Sequence, residues 1–272
     1  MITIRSLIDS AQIPTHEAEQ LVLGLLNRDR TWLFTHGAEA SAGDSLPMIR
    51  EAIARRCTGE PLAYILGSRS FWNLELKVTP AVLIPRPDTE LLVEWAIDCV
   101  VGNQLSSCAD LGTGSGAVAL AIKSEVPPCA VTGVDRSKAA LEVAQYNSIA
   151  CNLTVEWLQS DWFGSLEGRL WPLLVGNPPY IADSDPHLKQ GDLPAEPTEA
   201  LVAGPDGYRD LRHLIATAPR FLTAGGYLLL EHGWNQGAEV RELFARAGFC
   251  GVASRRDLGG HERVTGGYKG NG

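Results

Sequence analysis

The chain has 272 residues, 45% hydrophobic and 20% charged, which is typical of a globular protein with room for one large domain and a small one. Its formal net charge is −9 and Lys and Arg are not clustered, which argues against binding to DNA or RNA mainly through phosphates. The six cysteines show no metal-ligand spacing, so we predict reduced thiols and no metal site. Because no apolar run approaches the ~18 residues of a membrane span and no signal-peptide pattern is present, we expect a cytoplasmic protein without membrane contact.

Short amphipathic helices are predicted over the first 60 residues. Thr15 is expected to cap one helix, and Ser45 is expected to cap another, with Pro47 in its first turn. In the first of them, apolar residues recur at helical spacing, namely Ala18, Leu21, Val22 and Leu25. These residues predict the core of a small helical N-terminal domain over residues 1–68.

The periodicity then changes to that of strands. Alternating apolar residues in 69–80 predict a strand pair, so that 69–85 is interpreted as a β-hairpin linker. From residue 86 to 272, apolar strands alternate with helical segments, which is typical of a parallel wound sheet. The predicted strand cores are 108–111, 130–134, 153–158, 171–176, 226–232, 249–254 and 262–268.

A glycine-rich turn, Asp110-Leu111-Gly112-Thr113-Gly114-Ser115-Gly116, follows the first of these strands. Alternating glycines let the backbone turn sharply and let a ligand approach the main chain. Asp135 ends the next strand, where a carboxylate can accept both hydroxyls of an adenosine ribose. These features alone leave the cofactor open, because Gly112-x-Gly114-x-x-Ala117 also fits a loosened dinucleotide fingerprint and NAD stays an alternative.

Asn177-Pro178-Pro179-Tyr180 stands at the carboxyl end of the fourth predicted strand, where ligands bind in open α/β sheets. Asn177 offers a side-chain carbonyl, and Pro178 is biased towards an extended backbone whose carbonyl can project into the cleft. Two such acceptors match the two hydrogens of a planar amino group, whose plane Tyr180 would fix. The motif offers neither the proton donor nor the electrophile that hydride transfer needs, so it favours methyl transfer to nitrogen.

Taken together, these motifs resemble those of the amino-group methyltransferases. Over nearly the whole chain, further segments resemble the release factor glutamine methyltransferases (the PrmC/HemK family). These segments are Phe71-Trp72-x-Leu74, Leu83-Ile84-Pro85-Arg86-Pro87-Asp88-Thr89-Glu90, Gln159-Ser160-Asp161-Trp162-Phe163, Asp185-Pro186-His187-Leu188, Glu196-Pro197, Leu230-Glu231-His232-Gly233 and Glu262-Arg263-Val264. The resemblance implies an α/β fold, a Rossmann-like class I methyltransferase sheet with a small helical N-terminal domain. Because this N-terminal domain, residues 1–68, carries no chemical motif of its own, we expect it to dock the substrate.

The resemblance also implies roles for individual residues. Asp135 would bind the ribose of S-adenosylmethionine, and Trp162 would pack on the adenine with Asp161 near its amino edge. Asn177, Pro178 and Tyr180 would be catalytic and, with Pro179, would bind the substrate amide, and Asn177 would also contact the cofactor. The methionine and ribose would lie along the glycine turn formed by Gly112, Thr113, Gly114, Ser115 and Gly116.

The implied reaction transfers a methyl group from S-adenosyl-L-methionine to the side-chain amide nitrogen (N5) of the glutamine in the Gly-Gly-Gln motif of peptide chain release factors. S-adenosyl-L-homocysteine is the product, and translation termination is the process modulated. We expect a monomer that needs no metal and does not contact nucleic acid directly. The alternative is an adenine-N6 methyltransferase acting on nucleic acid, but a flipped base requires a basic surface to grip the duplex.

The expected mechanism is alignment plus electrostatics, because two carbonyl acceptors favour the positive charge that develops on the amide nitrogen. Three other residues are of interest. Arg86 is interpreted either as steering the glutamine loop or as a structural clamp, and His232 as a hydrogen-bonded structural residue in preference to a base. Glu196 is interpreted as a solvated loop charge or as a residue that orders the loop over the site.

Overall fold

The computed structural model describes residues 2–270, which form two compact units. The first unit runs to Ser68 and includes Lys189–Ala195, and the second comprises Arg69–Leu188 and the chain from Glu196 onward. The boundaries expected from sequence, 1–68, 69–85 and 86–272, do not include this return of Lys189–Ala195 to the helical unit. Lys189–Ala195 is too short to show a periodicity, so its packing with the helical unit could not be predicted from sequence.

The first unit is helical, as the sequence predicts. Most of its buried side chains, among them Ile4, Val22, Leu33 and Ile49, form one core. A second, smaller cluster consists of Leu21, Ala52 and Ile65. The return segment is fixed by Asp192, which accepts a hydrogen bond from Arg56 at 3.0 Å, while Arg56 also binds Glu17. The helices are α1 (Ile4–Asp9), α2 (Thr15–Leu26), α3 (Arg30–His36), α4 (Leu46–Cys57) and α5 (Leu62–Leu66).

Two predicted helix caps differ from the structure. Helix α2 begins at Thr15 itself and its N-cap is Pro14, so the prediction that Thr15 caps this helix was wrong by one residue. Ser45 does occupy the N-cap position of α4, and Pro47 lies in the first turn, but the Ser45 side chain makes no capping hydrogen bond. A 3-10 turn over Gly43–Ser45 gives Ser45 helical dihedral angles, whereas capping requires an extended residue.

The predicted strand pair is present at the boundary of the two units as a hairpin of β1 (Ser68–Phe71), which starts at the last residue of the first unit, and β2 (Leu74–Lys77). The strands that follow are β3 (Ser107–Leu111), β4 (Ala130–Asp135), β5 (Glu156–Gln159), β6 (Trp171–Gly176), β7 (Leu222–Glu231), β8 (Phe249–Arg256) and β9 (Glu262–Lys269). The helices are α6 (Glu90–Gly102), α7 (Ala117–Glu125), α8 (Lys138–Ala150), α9 (Thr198–Leu201), α10 (Arg209–Thr217) and α11 (Gly237–Arg246). No helix within residues 2–270 is long and apolar enough to cross a membrane.

Among the described residues, the main sheet has seven strands in the order β5-β4-β3-β6-β7-β9-β8. Strand β9 is antiparallel to both of its neighbours, and the other pairings are parallel. The wound α/β sheet predicted from sequence is therefore confirmed. The strand order reverses between β3 and β6, and ligands in open α/β sheets bind at such a switch point, beyond the carboxyl ends of the strands.

Helices cover both faces of this sheet, which explains why its central strands are apolar along their whole length. Leu173 and Val175 of β6 pack with α6 and α7 on one face, whereas Leu174 packs with α10 and α11 on the other. Strand β5 is shorter than the predicted 153–158 and begins three residues later. Its pairing with β4 starts only at Glu156, which lies opposite Thr132.

Candidate active site

The glycine turn leaves β3 in a conformation that favours glycine. Gly112, Gly114 and Gly116 have φ angles of 75°, 55° and 84°. The N–H groups of Gly112 and Thr113 both donate to the carbonyl of Val134, at 2.8 and 2.9 Å, which ties the turn to β4. A Cβ atom at Gly112 would stand 3.1 Å from the ring of Trp162, so the ring and the turn are in close contact.

Asp110, the first residue of the glycine motif, stabilises the conformation of the turn through hydrogen bonds. Its Oδ2 accepts hydrogen bonds from the Thr113 hydroxyl at 2.5 Å and from the N–H of Ala119 at 3.2 Å. Burial raises the pKa of this carboxyl to about 7, against the lowering effect of those two hydrogen bonds. Sequence analysis gave Asp110 no role, although it stands within the motif.

The predicted ribose-binding residue, Asp135, ends β4 and lines a cavity at the carboxyl edge of the sheet. Its Oδ2 accepts the N–H of Gly114 and its Oδ1 accepts the N–H of Ser137. Burial raises the pKa of Asp135, and the two backbone hydrogen bonds oppose that rise. Each carboxylate oxygen keeps a second lone pair, so both can still accept from a ligand hydroxyl.

The structure brings most of the predicted site residues to this cavity. Those that line it are Gly112, Gly114, Asp135, Asp161, Trp162, Asn177 and Pro179. Thr113 and Ser115 are buried within the turn, where Thr113 binds Asp110 and the Ser115 carbonyl accepts from Asn147. Their predicted contact with cofactor, like that of Gly116, stays a prediction, and any such contact from Thr113 and Ser115 would use the backbone.

The Asn177–Tyr180 segment follows β6 beside the glycine turn. Asn177 donates through Nδ2 to the Thr89 hydroxyl at 3.2 Å, and Pro178 is buried. The Tyr180 hydroxyl donates to Glu231 Oε1 at 3.2 Å, so this ring is held from β7. Burial and the negative charge of Glu231 raise the pKa of Tyr180, which therefore keeps its proton.

Residues 86–90 bind four separate parts of the second unit. The partners are Arg86 with Glu196, Asp88 with Arg263, Thr89 with Asn177, and Glu90 with the N–H of Trp72. Glu196 is buried, and its Oε2 accepts the N–H of Ile84 at 3.0 Å. The interpretation of Glu196 as a solvated charge was wrong, and Arg86 acts as a clamp on the loop whose next residue, Pro197, lines the cavity.

His232 is fully buried at the end of β7. Its Nδ1 donates to the Gly233 carbonyl at 2.9 Å, and its Nε2 lies 2.8 Å from the Thr265 hydroxyl. Burial lowers the pKa of His232, so the ring is neutral and Nε2 accepts from Thr265. With both ring nitrogens engaged, His232 is structural, as the sequence analysis preferred. Within residues 2–270, His, Cys, Asp and Glu side chains do not gather in threes as metal ligands would.

The wound sheet includes an antiparallel strand, β9. Together with the glycine turn, Asp135 and Asn177, this sheet is typical of the class I methyltransferases. The chain resembles a methyltransferase from Pyrococcus furiosus in fold, with a TM-score of 0.54 and 17% identity over 80% of this chain and 97% of that one. Residues 3–67 match the PrmC N-terminal domain family, and residues 89–192 match the methyltransferase small domain family.

Curated relatives identify the family more closely. The chain is 47% identical over 271 residues to a release factor glutamine methyltransferase of Pseudomonas aeruginosa, covering 97% of this chain and 98% of that protein. It is 44% identical over 261 residues to a protein of the same name in Escherichia coli, covering 96% and 94%. The chain belongs to the release factor glutamine methyltransferases.

Proposed function

We propose that the chain transfers a methyl group from S-adenosylmethionine to the side-chain amide nitrogen of the glutamine in the Gly-Gly-Gln motif of peptide chain release factors, leaving S-adenosyl-L-homocysteine. The observation that carries this proposal is that Asp135 and Asn177, from different strands, line one cavity with the glycine turn. A nucleoside site and an acceptor for an amide hydrogen are thereby adjacent. The names of the curated relatives supply the substrate.

The residues of the cavity fit the cofactor. Gly114 has no heavy atom within 4 Å of where a Cβ would be, so a ligand can lie directly on the main chain there. Asp135 retains lone pairs for the two ribose hydroxyls, and Trp162 offers a ring face in the same cavity for the adenine, with Asp161 beside it. When bound, S-adenosylmethionine supplies an electrophilic methyl group on a positively charged sulfur.

The amide of the substrate would be held by two acceptors. Because Asn177 Nδ2 is engaged by Thr89, its Oδ1 is the end of that side chain available to a substrate N–H. The backbone carbonyl of Pro178 is the proposed second acceptor, and Pro179 and Tyr180 would fix the plane of the amide. Gln236 supports this arrangement by donating to the Tyr180 carbonyl at 3.1 Å.

This arrangement would catalyse by alignment and electrostatics. An amide nitrogen is a weak nucleophile because its lone pair is delocalised into the carbonyl. Acceptors on both N–H groups fix the direction of attack and stabilise the positive charge that grows on the nitrogen. Asn177 and Pro178 therefore act chiefly in the transition state, and the proton leaves for water after transfer.

We assign docking of the release factor to the first unit, because residues 3–67 match the PrmC N-terminal domain family and carry no chemical motif of their own. We infer a cytoplasmic reaction, because a release factor acts at ribosomes. A monomer without direct contact to nucleic acid or membrane completes the proposal. The net charge of −9 supports this choice over the adenine-N6 alternative.

Methyl transfer from labelled S-adenosylmethionine tests the function. Three acceptors are compared: an intact release factor, the same factor with Ala in place of the motif glutamine, and an adenine-containing oligonucleotide. We expect label only in the intact factor, and mass spectrometry should place one methyl group on that glutamine. Equal labelling of the Ala-containing factor would exclude the glutamine as the site, and labelling of the oligonucleotide would support the alternative.

A further inference from the structure

Two buried polar side chains lie behind the proposed amide site without bordering the cavity described above. Thr89 closes the 3-10 turn Pro87–Thr89 and is 5% exposed, and Glu231 ends β7 with no exposed surface. Neither residue is needed to explain cofactor binding. Burying a carboxyl group is costly, so its contacts indicate what it does there.

Two hydrogen bonds, together with an interaction between Thr89 and Glu231, connect this carboxyl group to both ends of the Asn177–Tyr180 segment. The Thr89 hydroxyl accepts from Asn177 Nδ2 at 3.2 Å, and it also interacts with the Glu231 carboxyl, whose pKa it lowers. The Tyr180 hydroxyl donates to Glu231 Oε1 at 3.2 Å. Glu231 Oε2 is buried and has no hydrogen bond of normal geometry within the described residues.

The charge on Glu231 decides the direction of these hydrogen bonds. An ionised carboxylate can only accept, so the Thr89 hydroxyl can only donate in its interaction with Glu231, which leaves Thr89 to accept from Asn177. Asn177 is thereby fixed with Nδ2 towards Thr89 and Oδ1 away from it. A protonated Glu231 could instead donate to Thr89, which would let the Asn177 amide group turn around.

We propose that Thr89 and the ionised carboxyl of Glu231 are positioning residues, which hold the Asn177 carbonyl towards the substrate amide and keep the Tyr180 ring in place. The inference rests on the role proposed above for Asn177. It also gives a function to Thr89 in residues 83–90 and to Glu231 in residues 230–233, which the proposed cofactor and substrate contacts do not include.

The groups around Glu231 determine the pKa of its carboxyl group. Burial raises the pKa of this carboxyl to about 7, and the negative charge of Asp88 in the neighbouring turn adds to the rise. The Thr89 and Tyr180 hydroxyls and the positive charge of Arg263 on β9 lower it. The next residue, His232, is neutral and bonded elsewhere. We therefore expect turnover to fall as the pH decreases through about 7.

Removal of the Thr89 hydroxyl tests the inference. Thr89→Val keeps the shape of the side chain, and we expect its kcat on the release factor to fall about tenfold or more while S-adenosylmethionine affinity stays within about twofold. Thr89→Ser should restore most of the turnover. Thr132→Val is the matched control, because Thr132 is also 5% exposed and its hydroxyl also binds a glutamate, Glu156. It should leave kcat unchanged.

The dependence of kcat on pH separates positioning from mere stability. Glu231→Gln should be slow and should lack the decrease in kcat on the acid side that the parent protein shows. Asp110 also has a pKa of about 7, so Asp110→Asn is measured in parallel and should keep that decrease. Equal kcat values for Thr89→Val and Thr132→Val would overturn the inference, as would an unchanged pH profile in Glu231→Gln. If Glu231→Gln does not fold, the comparison of kcat between Thr89→Val and Thr132→Val is sufficient to test the inference.

Failure of the proposed function can be distinguished from failure of this inference. If the parent protein transfers no methyl group, or if Asn177→Ala is fully active, the proposed role of Asn177 is wrong and the positioning inference falls with it. If Asn177→Ala is inactive but Thr89→Val is as active as the parent, only the positioning inference is wrong.

Discussion

The carboxylate of Asp135 accepts the N–H of Gly114 at 2.9 Å, which joins the end of β4 to the glycine turn that follows β3. The other carboxylate oxygen accepts the N–H of Ser137 at 2.8 Å. The residue expected to bind the ribose therefore also shapes the turn on which the rest of the cofactor would lie. A substitution at this position acts on both contacts.

Asp135→Ala should weaken binding of S-adenosylmethionine by about tenfold or more, since two ribose hydroxyls lose a charged acceptor, each such bond being worth roughly 1.5–3 kcal/mol. Isothermal titration calorimetry measures the change. Asp98→Ala is the control, because Asp98 is exposed and pairs with Arg255 on the surface. Unchanged affinity in Asp135→Ala, or tight NAD binding by the parent protein, would contradict the assignment of the cofactor.

Asn177→Ala removes one of the two proposed amide acceptors and should lower kcat on the order of a hundredfold, with little change in cofactor affinity, because the lost bond belongs to the transition state. Asn177→Asp keeps an oxygen acceptor and should retain partial activity. Steady-state kinetics on the release factor, with calorimetry for the cofactor, separate the two effects. Near-normal turnover by a folded Asn177→Ala protein would mean that the reaction occurs elsewhere.

Asp110 should make the stability of the second unit depend on pH. Its pKa is about 7 in the folded protein, above the 3.8 that is usual for an aspartate, so folding favours the protonated form. Its contribution to stability is then complete below pH 3.8 and is lost as the pH rises through 7. The full loss corresponds to about 4 kcal/mol at most.

Asp110→Asn tests this pH dependence. Both hydrogen bonds to Asp110 end on one oxygen, so the amide oxygen of Asn can accept them without carrying a charge. The free energy of unfolding, from denaturant titrations between pH 5 and pH 8, should decrease more steeply with pH in the parent protein than in the variant. Parallel curves would show that Asp110 does not titrate in this range.

Phe34 is 87% exposed on α3 of the first unit, and we expect it to contact the release factor, because aromatic side chains are enriched at contacts between proteins. Phe34→Ser should raise KM for the intact factor several-fold and leave KM for S-adenosylmethionine unchanged. Ile149→Ser is the control, since Ile149 is 76% exposed at the end of α8 in the second unit. Equal KM values for the factor in both variants would remove Phe34 from the docking surface.

The sheet and the cavity-lining residues of the site were predictable from sequence, because they are marked by patterns within short segments. Apolar runs placed the strands, and the glycine turn, Asp135 and Asn177 each directly follow or end a strand. Since β3 is adjacent to both β4 and β6, parallel pairing brings these residues to one edge. The positions of the predicted strands were therefore sufficient to predict that these residues lie close together.

The supporting residues could not be found in this way, because their partners are distant in sequence. Thr89 and Asn177 are 88 positions apart, and Glu196 is 110 positions from Arg86. A single carboxyl or hydroxyl in a loop is usually solvated, so the sequence left open whether Glu196 is a surface charge or orders the loop. Glu231 stands in an apolar strand, where only the resemblance to a family marked it as unusual.

The return of Lys189–Ala195 to the helical unit has a consequence for synthesis on the ribosome. The helices α1–α5 are made first, yet Asp192, which binds Arg56 of α4, emerges only after β3, β4, β5 and β6 have been translated. The first unit therefore lacks one of its own contacts throughout the interval in which the methyltransferase strands are produced. A nascent chain interrupted before residue 189 contains all five of these helices but an incomplete first unit.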